Sequence, residues 1–294
     1  MTATQMKDLL RNMSKEKNIS AQILQRSYMM ERLLERISLS QYKNNFILKG
    51  GMLVASLVGI DTRSTMDLDA IIKGLLVSEK TMIDVFNTLV QMDIDDGVVL
   101  KIKRIEEIRE EFEYCCFRIS MEAIMDNTVI PLKVDVSTGD TITPSEINYE
   151  YSLLLEKRTI KILAYNLETV LAEKMETILS KTVFNTRMRD FYDLYILSKL
   201  QKNNIDMEIL ANAILKTAEK RNTIIIYEKT HEDLDTIFYS KEMFKLWQNY
   251  QRKFPYAKEV SWKDVESRVR DLFGNVVNSH NPICNQIGRD QNHL

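Results

Sequence analysis

The 294-residue sequence predicts an α+β protein: a lobe with a mixed sheet, followed by an all-helical lobe. Three observations carry this. Short apolar or alternating runs such as "NFILKGG", "STMDLDAIIKG" and "IPLKVDVSTGD" fill the first half. After about residue 155 the pattern turns helical, with "NLETVLAEKMETILS", "RMRDFYDLYILSKL", "DMEILANAILKTAEKR" and "SKEMFKLWQNYQRKF". Only 8 Gly and 4 Pro argue against long linkers. The expected organisation is a first lobe over 1–155, a helical lobe over 156–274 and a loose polar tail over 275–294.

The elements follow in order. "NISAQILQRSYMMERLLERISLS" predicts a leading helix over about 20–38, with Ser20 as its cap and Ile23, Met30, Leu34 and Ile37 on one face. "NFILKGG" is a strand broken at Gly50, and "MLVASLVG" a short buried helix ending at Gly59. "STMDLDAIIKG" is a strand, and "SEKTMIDVFNTLVQMD" a helix capped by Ser78. The segment from Val98 to Met125 begins and ends with β-rich alternation, and a further strand enters at Pro131.

Composition limits the function classes. Lys plus Arg is 40 against 42 Asp plus Glu, so no global charge drives the chain toward nucleic acid or membrane. Cys115, Cys116 and Cys284 give neither a disulfide framework nor a zinc spacing. The N-terminus "MTATQMKDLLRNMSKEKN" is polar and has no apolar core segment, and no apolar run nears the roughly 20 residues of a membrane span. The expectation is a cytoplasmic protein without membrane contact. His231, His280 and His293 are scattered and suggest neither a catalytic dyad nor a metal site.

The chemistry gathers in "FILKGGMLVASLVGIDTRSTMDLDA". Asp67 and Asp69 stand at i and i+2, which on a strand places both carboxylates on one face, roughly 7 Å apart. Shared divalent cations relieve the repulsion of such a pair. Asp135, inside the apolar "LKVDVS", supplies a third acid if its strand lies beside the first. Three such carboxylates suit Mg²⁺-assisted nucleotidyl or phosphoryl transfer. Gly50 and Gly51, between a strand and a helix start, let backbone N–H groups approach a phosphate. Arg63, Ser64 and Thr65 are placed to contact phosphate or to cap the turn. Alone, a Gly-Gly also reads as a tight turn, and Asp-x-Asp as a solvated strand end. Their order together with Asp135 favours a site.

These blocks resemble the AbiEii/AbiGii toxin family within the DNA polymerase β-like nucleotidyltransferases. The resemblance rests on "FILKGGMLVASLVG…RSTMDLDA", "LKVDVSTGD", "NLETVLAEKMETIL" and "RMRDFYDLYIL", over roughly residues 20 to 200. The Gly-Gly departs from the Gly-Ser of many superfamily members. The resemblance implies a polymerase β-like core that binds an NTP with Mg²⁺ or Mn²⁺ between two lobes. It implies a bacterial abortive-infection or toxin–antitoxin role in phage defence, and a cognate antitoxin that need not form a stable complex. An RNA acceptor, tRNA first, leads the expectation. A protein or small-molecule acceptor, or a catalytically silent NTP-binding module, are the rivals.

Two further blocks carry site expectations. Lys174 shares an apolar helix face with Leu167, Val170, Leu171 and Ile178, where a charge is costly unless paired or used. It either snorkels to the surface or, as the resemblance implies, meets the triphosphate; a methionine there would keep the stripe. "RMRDFYDLY" sets Asp190 and Asp193 on one face behind Arg187 and Arg189. This reads as a local Arg–Asp cluster. The resemblance implies a catalytic acid, which we assign to Asp190, leaving Asp193 to pair with Arg187 or Arg189 and fix the helix. The catalytic set is therefore Asp67, Asp69, Asp135, Lys174 and Asp190. "LWQNYQRKFPY" reads as a helix end packing its aromatics rather than an RNA-stacking surface.

Overall fold

The computed structural model describes residues 1–109, 115–223 and 230–290, with side chains in the last helix described to 277. The chain divides into two units. The first is Met1–Asp140 with Glu146–Tyr165, and the second is Thr141–Ser145 with Asn166–Leu294.

The first unit is built on a mixed sheet of seven strands, in the order β3-β4-β5-β2-β1-β7-β6. The strands are β1 (Phe46–Lys49), β2 (Leu68–Ile72), β3 (Val99–Arg109), β4 (Cys115–Met125), β5 (Thr128–Ser137), β6 (Ile147–Ser152) and β7 (Thr159–Ala164). β1 runs antiparallel to β2, while β5 lies parallel to β2 and β7 parallel to β1. The β-rich segment from Val98 to Met125 holds the antiparallel pair β3–β4, and β5 continues it as a meander. β5 starts at Thr128, so Pro131 lies inside it rather than at its entry. The reason is positional: β2 pairs with β5 only from Val134 onward. Pro131 therefore sits where β5 has a free edge, and its missing N–H costs no ladder bond there. The hairpin β6–β7 was not read from the sequence, although "INYEYS" and "TIKI" alternate; each strand is only 6 residues long.

Four helices complete this unit: α1 (Ala3–Lys17), α2 (Ala21–Leu39), α3 (Gly50–Val58) and α4 (Glu79–Gln91). The polar N-terminus forms α1, closed at its start by a capping box between Thr2 and Gln5. It buries Met6 and Leu10, and packs against α2. Ser78 caps α4 as expected, accepting from the Thr81 N–H at 3.1 Å. Ser20 holds the N-cap position of α2 but makes no side-chain cap bond.

α2 lies against β5 and β7 and buries charge as well as apolar surface. Arg36 forks onto Asp96 at 2.7 and 3.0 Å. Arg32 reaches Glu35 and Glu156, and Arg158 reaches Glu35. Glu31 accepts from the Leu154 N–H with both oxygens, at 3.1 and 3.0 Å. Burial pushes the Glu31 carboxyl up to about 8.

The second unit is helical: α5 (Leu167–Lys181), α6 (Met188–Leu200), α7 (Met207–Arg221), α8 (Thr230–Phe238), α9 (Lys241–Lys253) and α10 (Trp262–Asp290). Asn166 caps α5 through the Thr169 N–H at 2.7 Å, and its amide donates to the Thr143 and Ser145 carbonyls. That is how Thr141–Ser145 joins this unit. Phe191, Phe238, Trp247 and Trp262 form an aromatic core. Trp247 and Tyr250 stack on each other inside it, as the helix-end reading anticipates. The backbone of α10 runs to Asp290, where a loose tail from 275 was expected.

Candidate active site

Side chains on four adjacent strands meet in one transverse row. Asp69 on β2 has Lys49 of β1 as its register partner on one side and Asp135 of β5 on the other. Asp135 is in turn opposite Arg118 of β4. The row Arg118–Asp135–Asp69–Lys49 crosses the sheet because cross-strand neighbours share a face. Asp67, just ahead of β2, joins the row through Lys133, whose Nζ lies within ion-pair distance of both Asp67 and Asp135. The three aspartates are thus brought together as the sequence predicts.

Each acid has a defined environment. Arg118 donates Nε and Nη2 to the two oxygens of Asp135, both at 2.9 Å, a fork that fixes the carboxylate plane. This hydrogen bonding raises the Arg118 guanidinium pKa. Lys133 Nζ lies 3.3 Å from Asp67 Oδ2 and 3.6 Å from Asp135 Oδ2. Asp69 accepts from the Gly51 N–H at 3.4 Å. Burial pushes the Asp69 carboxyl up; Lys49 opposes that, and the charges of Asp135 and Asp67 add to it. Lys49 Nζ itself pairs with Asp140 at 2.5 Å, and Asp140 accepts from the Tyr165 hydroxyl. Lys49, Asp69, Cys116, Asp135, Val136 and Ser137 line a small open depression.

The two glycines are explained by contact. Gly50 adopts φ +67°, and a Cβ there would lie 2.2 Å from Asp69 Oδ2. A Cβ on Gly51 would lie 2.6 Å from Thr65 Oγ1. The start of α3 is therefore pressed directly onto the aspartate and its loop. Arg63 is 0% exposed, and its guanidinium donates to the Ser64 carbonyl. Ser64 is also buried, and Thr65 hydrogen-bonds with the Asp67 backbone at 3.3 and 3.4 Å. Of the two roles read for this run, the geometry described is that of capping and shaping the turn.

A second cluster lies in the helical unit. Lys174 on α5 pairs with Asp190 Oδ1 at 3.1 Å and with Asp193 Oδ2 at 2.7 Å, both on α6. Both aspartates are buried. Arg187 Nε lies 3.5 Å from Asp190 Oδ2, and Arg189 is exposed. Asp193, expected to pair with an arginine of its own helix, has Lys174 beside it.

Sequence reasoning missed Lys49, Arg118, Lys133 and Asp140. A signal was present for Lys133: it stands two residues before Asp135 in a strand, hence on the same face. Arg118 was a lone charge in the β-rich "CCFRIS".

The family model of the nucleotidyl transferase AbiEii toxin, type IV toxin–antitoxin system, matches residues 32–272. The chain belongs to this AbiEii toxin family. It is accordingly a nucleotidyltransferase. The AbiEii match begins within α2, takes in all seven strands and ends in α10. The chain is also similar in structure to MenT4, a nucleotidyltransferase toxin from Mycobacterium tuberculosis, with 13% identity, TM-score 0.61, and 92% of this chain and 89% of the other covered. A proposed nucleotidyltransferase from Helicobacter pylori gives 13% identity, TM-score 0.50, and 90% and 99% coverage. At this identity the two structures show the fold. No curated protein matches the chain.

The family implies an NTP substrate and, typically, a divalent metal. The donors fit such an ion in kind: Asp67, Asp69 and Asp135 offer only hard carboxylate oxygens, which suit Mg²⁺ or Mn²⁺. In this structure the Asp67 and Asp135 oxygens face Arg118 and Lys133, and no group of three or more His, Cys, Asp or Glu is arranged to hold a metal among the described residues. Nor is any helix among them long and apolar enough to cross a membrane.

Proposed function

We propose that this AbiEii-family protein transfers a nucleotidyl group from an NTP to an RNA acceptor, tRNA first, and acts as the toxin of a phage-defence pair. The observation that carries the reading is the register pairing of Asp69 with Asp135, with Asp67 joined to Asp135 through Lys133 and Gly50–Gly51 pressed against Asp69. Asp67, Asp69 and Asp135 would hold Mg²⁺ or Mn²⁺, which would neutralise charge on the phosphates when bound. Gly50 lets the start of α3 approach that site closely. In the helical unit, Lys174 serves the triphosphate and Asp190 serves the acceptor, roles taken from the family blocks; Asp193 holds Lys174 in place.

The similar fold of MenT4, itself named a nucleotidyltransferase toxin, supports the toxin role. A cognate antitoxin is the expected partner, one that need not form a stable complex, in keeping with the type IV description of the family.

The test incubates purified protein with each α-labelled NTP, Mg²⁺ and total cellular RNA, with Asp69→Asn as control. Label in the RNA fraction, lost in the control, is the expected result. Label in protein or in small molecules instead moves the acceptor class. No transfer to any fraction favours a silent NTP-binding module.

A further inference from the structure

We propose that Lys133 is a resident counter-cation of the acidic site, and that a divalent cation loads there by displacing it. The inference rests on the nucleotidyltransferase reading of Asp67, Asp69 and Asp135.

Lys133 lies on β5 two residues before Asp135, so both side chains stand on one sheet face. Its single Nζ stands within ion-pair distance of two of the three acids, 3.3 Å from Asp67 and 3.6 Å from Asp135. One positive charge thus neutralises the same carboxylates that a bridging metal ion would neutralise.

The two cations beside Asp135 are built differently. Arg118 uses a planar fork with two bonds at 2.9 Å, which fixes the carboxylate. Lys133 is a point charge on a flexible stem, its contacts are longer than a good hydrogen bond, and its side chain is 34% exposed. Withdrawing Lys133 into water therefore costs little, whereas withdrawing Arg118 breaks a bidentate pair. Lys49, on the other side of Asp69, is engaged with Asp140 at 2.5 Å.

Charge balance gives the consequence. Two of the three carboxylates, Asp67 and Asp135, already carry cationic partners in Arg118 and Lys133, so an incoming divalent ion meets a site that is partly neutralised. Loading is then a cation exchange, and Lys133 sets its affinity. Lys133 also spares the metal-free protein the repulsion of bare adjacent acids.

The experiment measures Mn²⁺ binding to the full chain by electron paramagnetic resonance and calorimetry, without nucleotide. Wild type is compared with Lys133→Met, Lys133→Gln, Lys133→Arg and Asp69→Asn. Removing a competitor with the strength of an exposed ion pair should tighten Mn²⁺ binding about fivefold in Lys133→Met and Lys133→Gln. Lys133→Arg should not tighten it, and Asp69→Asn should abolish it. Mn²⁺ should also raise the melting temperature of Lys133→Met more than that of wild type. Equal or weaker binding in both neutral variants, with Asp69→Asn still abolishing it, overturns the role of Lys133 and leaves the nucleotidyltransferase reading intact. No Mn²⁺ bound by wild type or by either neutral variant overturns the exchange together with the assignment of Asp67, Asp69 and Asp135 as a metal site in the nucleotide-free protein.

Discussion

Asp69 and Asp135 are register partners on the parallel strands β2 and β5, one step apart across the sheet. Two like charges directly opposite each other oppose sheet formation. The structure offsets this with Arg118 and Lys133 around Asp135, and with Lys49 and the Gly51 N–H around Asp69. Removing one acid should therefore relieve repulsion while ending the chemistry. Asp67→Asn and Asp69→Asn should each lose transfer activity and growth inhibition, with melting temperatures no lower than wild type. Calorimetric melts beside a label-transfer assay check this; a variant as active as wild type would refute the assignment of the site.

Gly50→Ala should be destabilising as well as inactive. Its φ of +67° disfavours any Cβ, and that atom would sit 2.2 Å from Asp69 Oδ2. The expected cost is about 2 kcal/mol or more in denaturant unfolding, from the left-handed backbone together with the clash. Gly51→Ala keeps an allowed backbone but meets Thr65 Oγ1 at 2.6 Å, so its cost should be smaller.

Lys174→Met tests the helical cluster. The apolar stripe alone suggested that methionine would be tolerated. The pairing reverses that expectation, because the substitution leaves two buried carboxylates, Asp190 and Asp193, without their lysine. Losing one side of a buried pair costs roughly 3–5 kcal/mol. The double variant Lys174→Met with Asp193→Asn should recover part of that loss, and a double-mutant cycle by urea unfolding measures it. Asp190→Asn should cost less stability than Asp193→Asn while losing activity, since Asp193 is 0% exposed and stands nearest to Lys174. A dead but stable Asp193→Asn would exchange the two roles.

Glu31 gives a pH prediction. Its carboxyl titrates at about 8 in the fold, raised from 4.5 chiefly by burial. The folded state therefore holds a proton that the unfolded state releases. The stabilisation from this group is complete below about 4.5 and is lost as pH rises toward about 8. Glu31→Gln keeps an oxygen for the Leu154 N–H and cannot ionise. Its melting temperature should fall less between pH 5 and pH 8 than that of wild type. Parallel slopes would show that Glu31 does not govern this window.

Much of the fold was legible because apolar periodicity is local. β1, β2, α3, α4 and the helices α5, α6, α7 and α9 each carry their pattern within one segment. β6, β7 and α1 were not legible. The first two alternate but span only 6 residues each, and α1 is a polar helix whose burial of Met6 and Leu10 depends on what it packs against. The acids of the site could be read because a carboxylate in an apolar strand is costly and therefore conspicuous. Their cations could not, since a lysine or arginine in a strand is commonly solvated.

The sequence by itself determined that Asp67 and Asp69 stand at i and i+2, that a Gly-Gly stands at a helix start, and that Lys174 lies on an apolar stripe. Each follows from the pattern of a single segment. Only the tertiary structure decided which neighbours these groups meet. Strand order and register set Asp69 between Lys49 and Asp135 and brought Arg118 and Lys133 onto the acids, while the packing of α5 against α6 placed Asp193 against Lys174. Charge–charge energy depends on distance and burial, and neither is fixed until distant segments of the chain pack together.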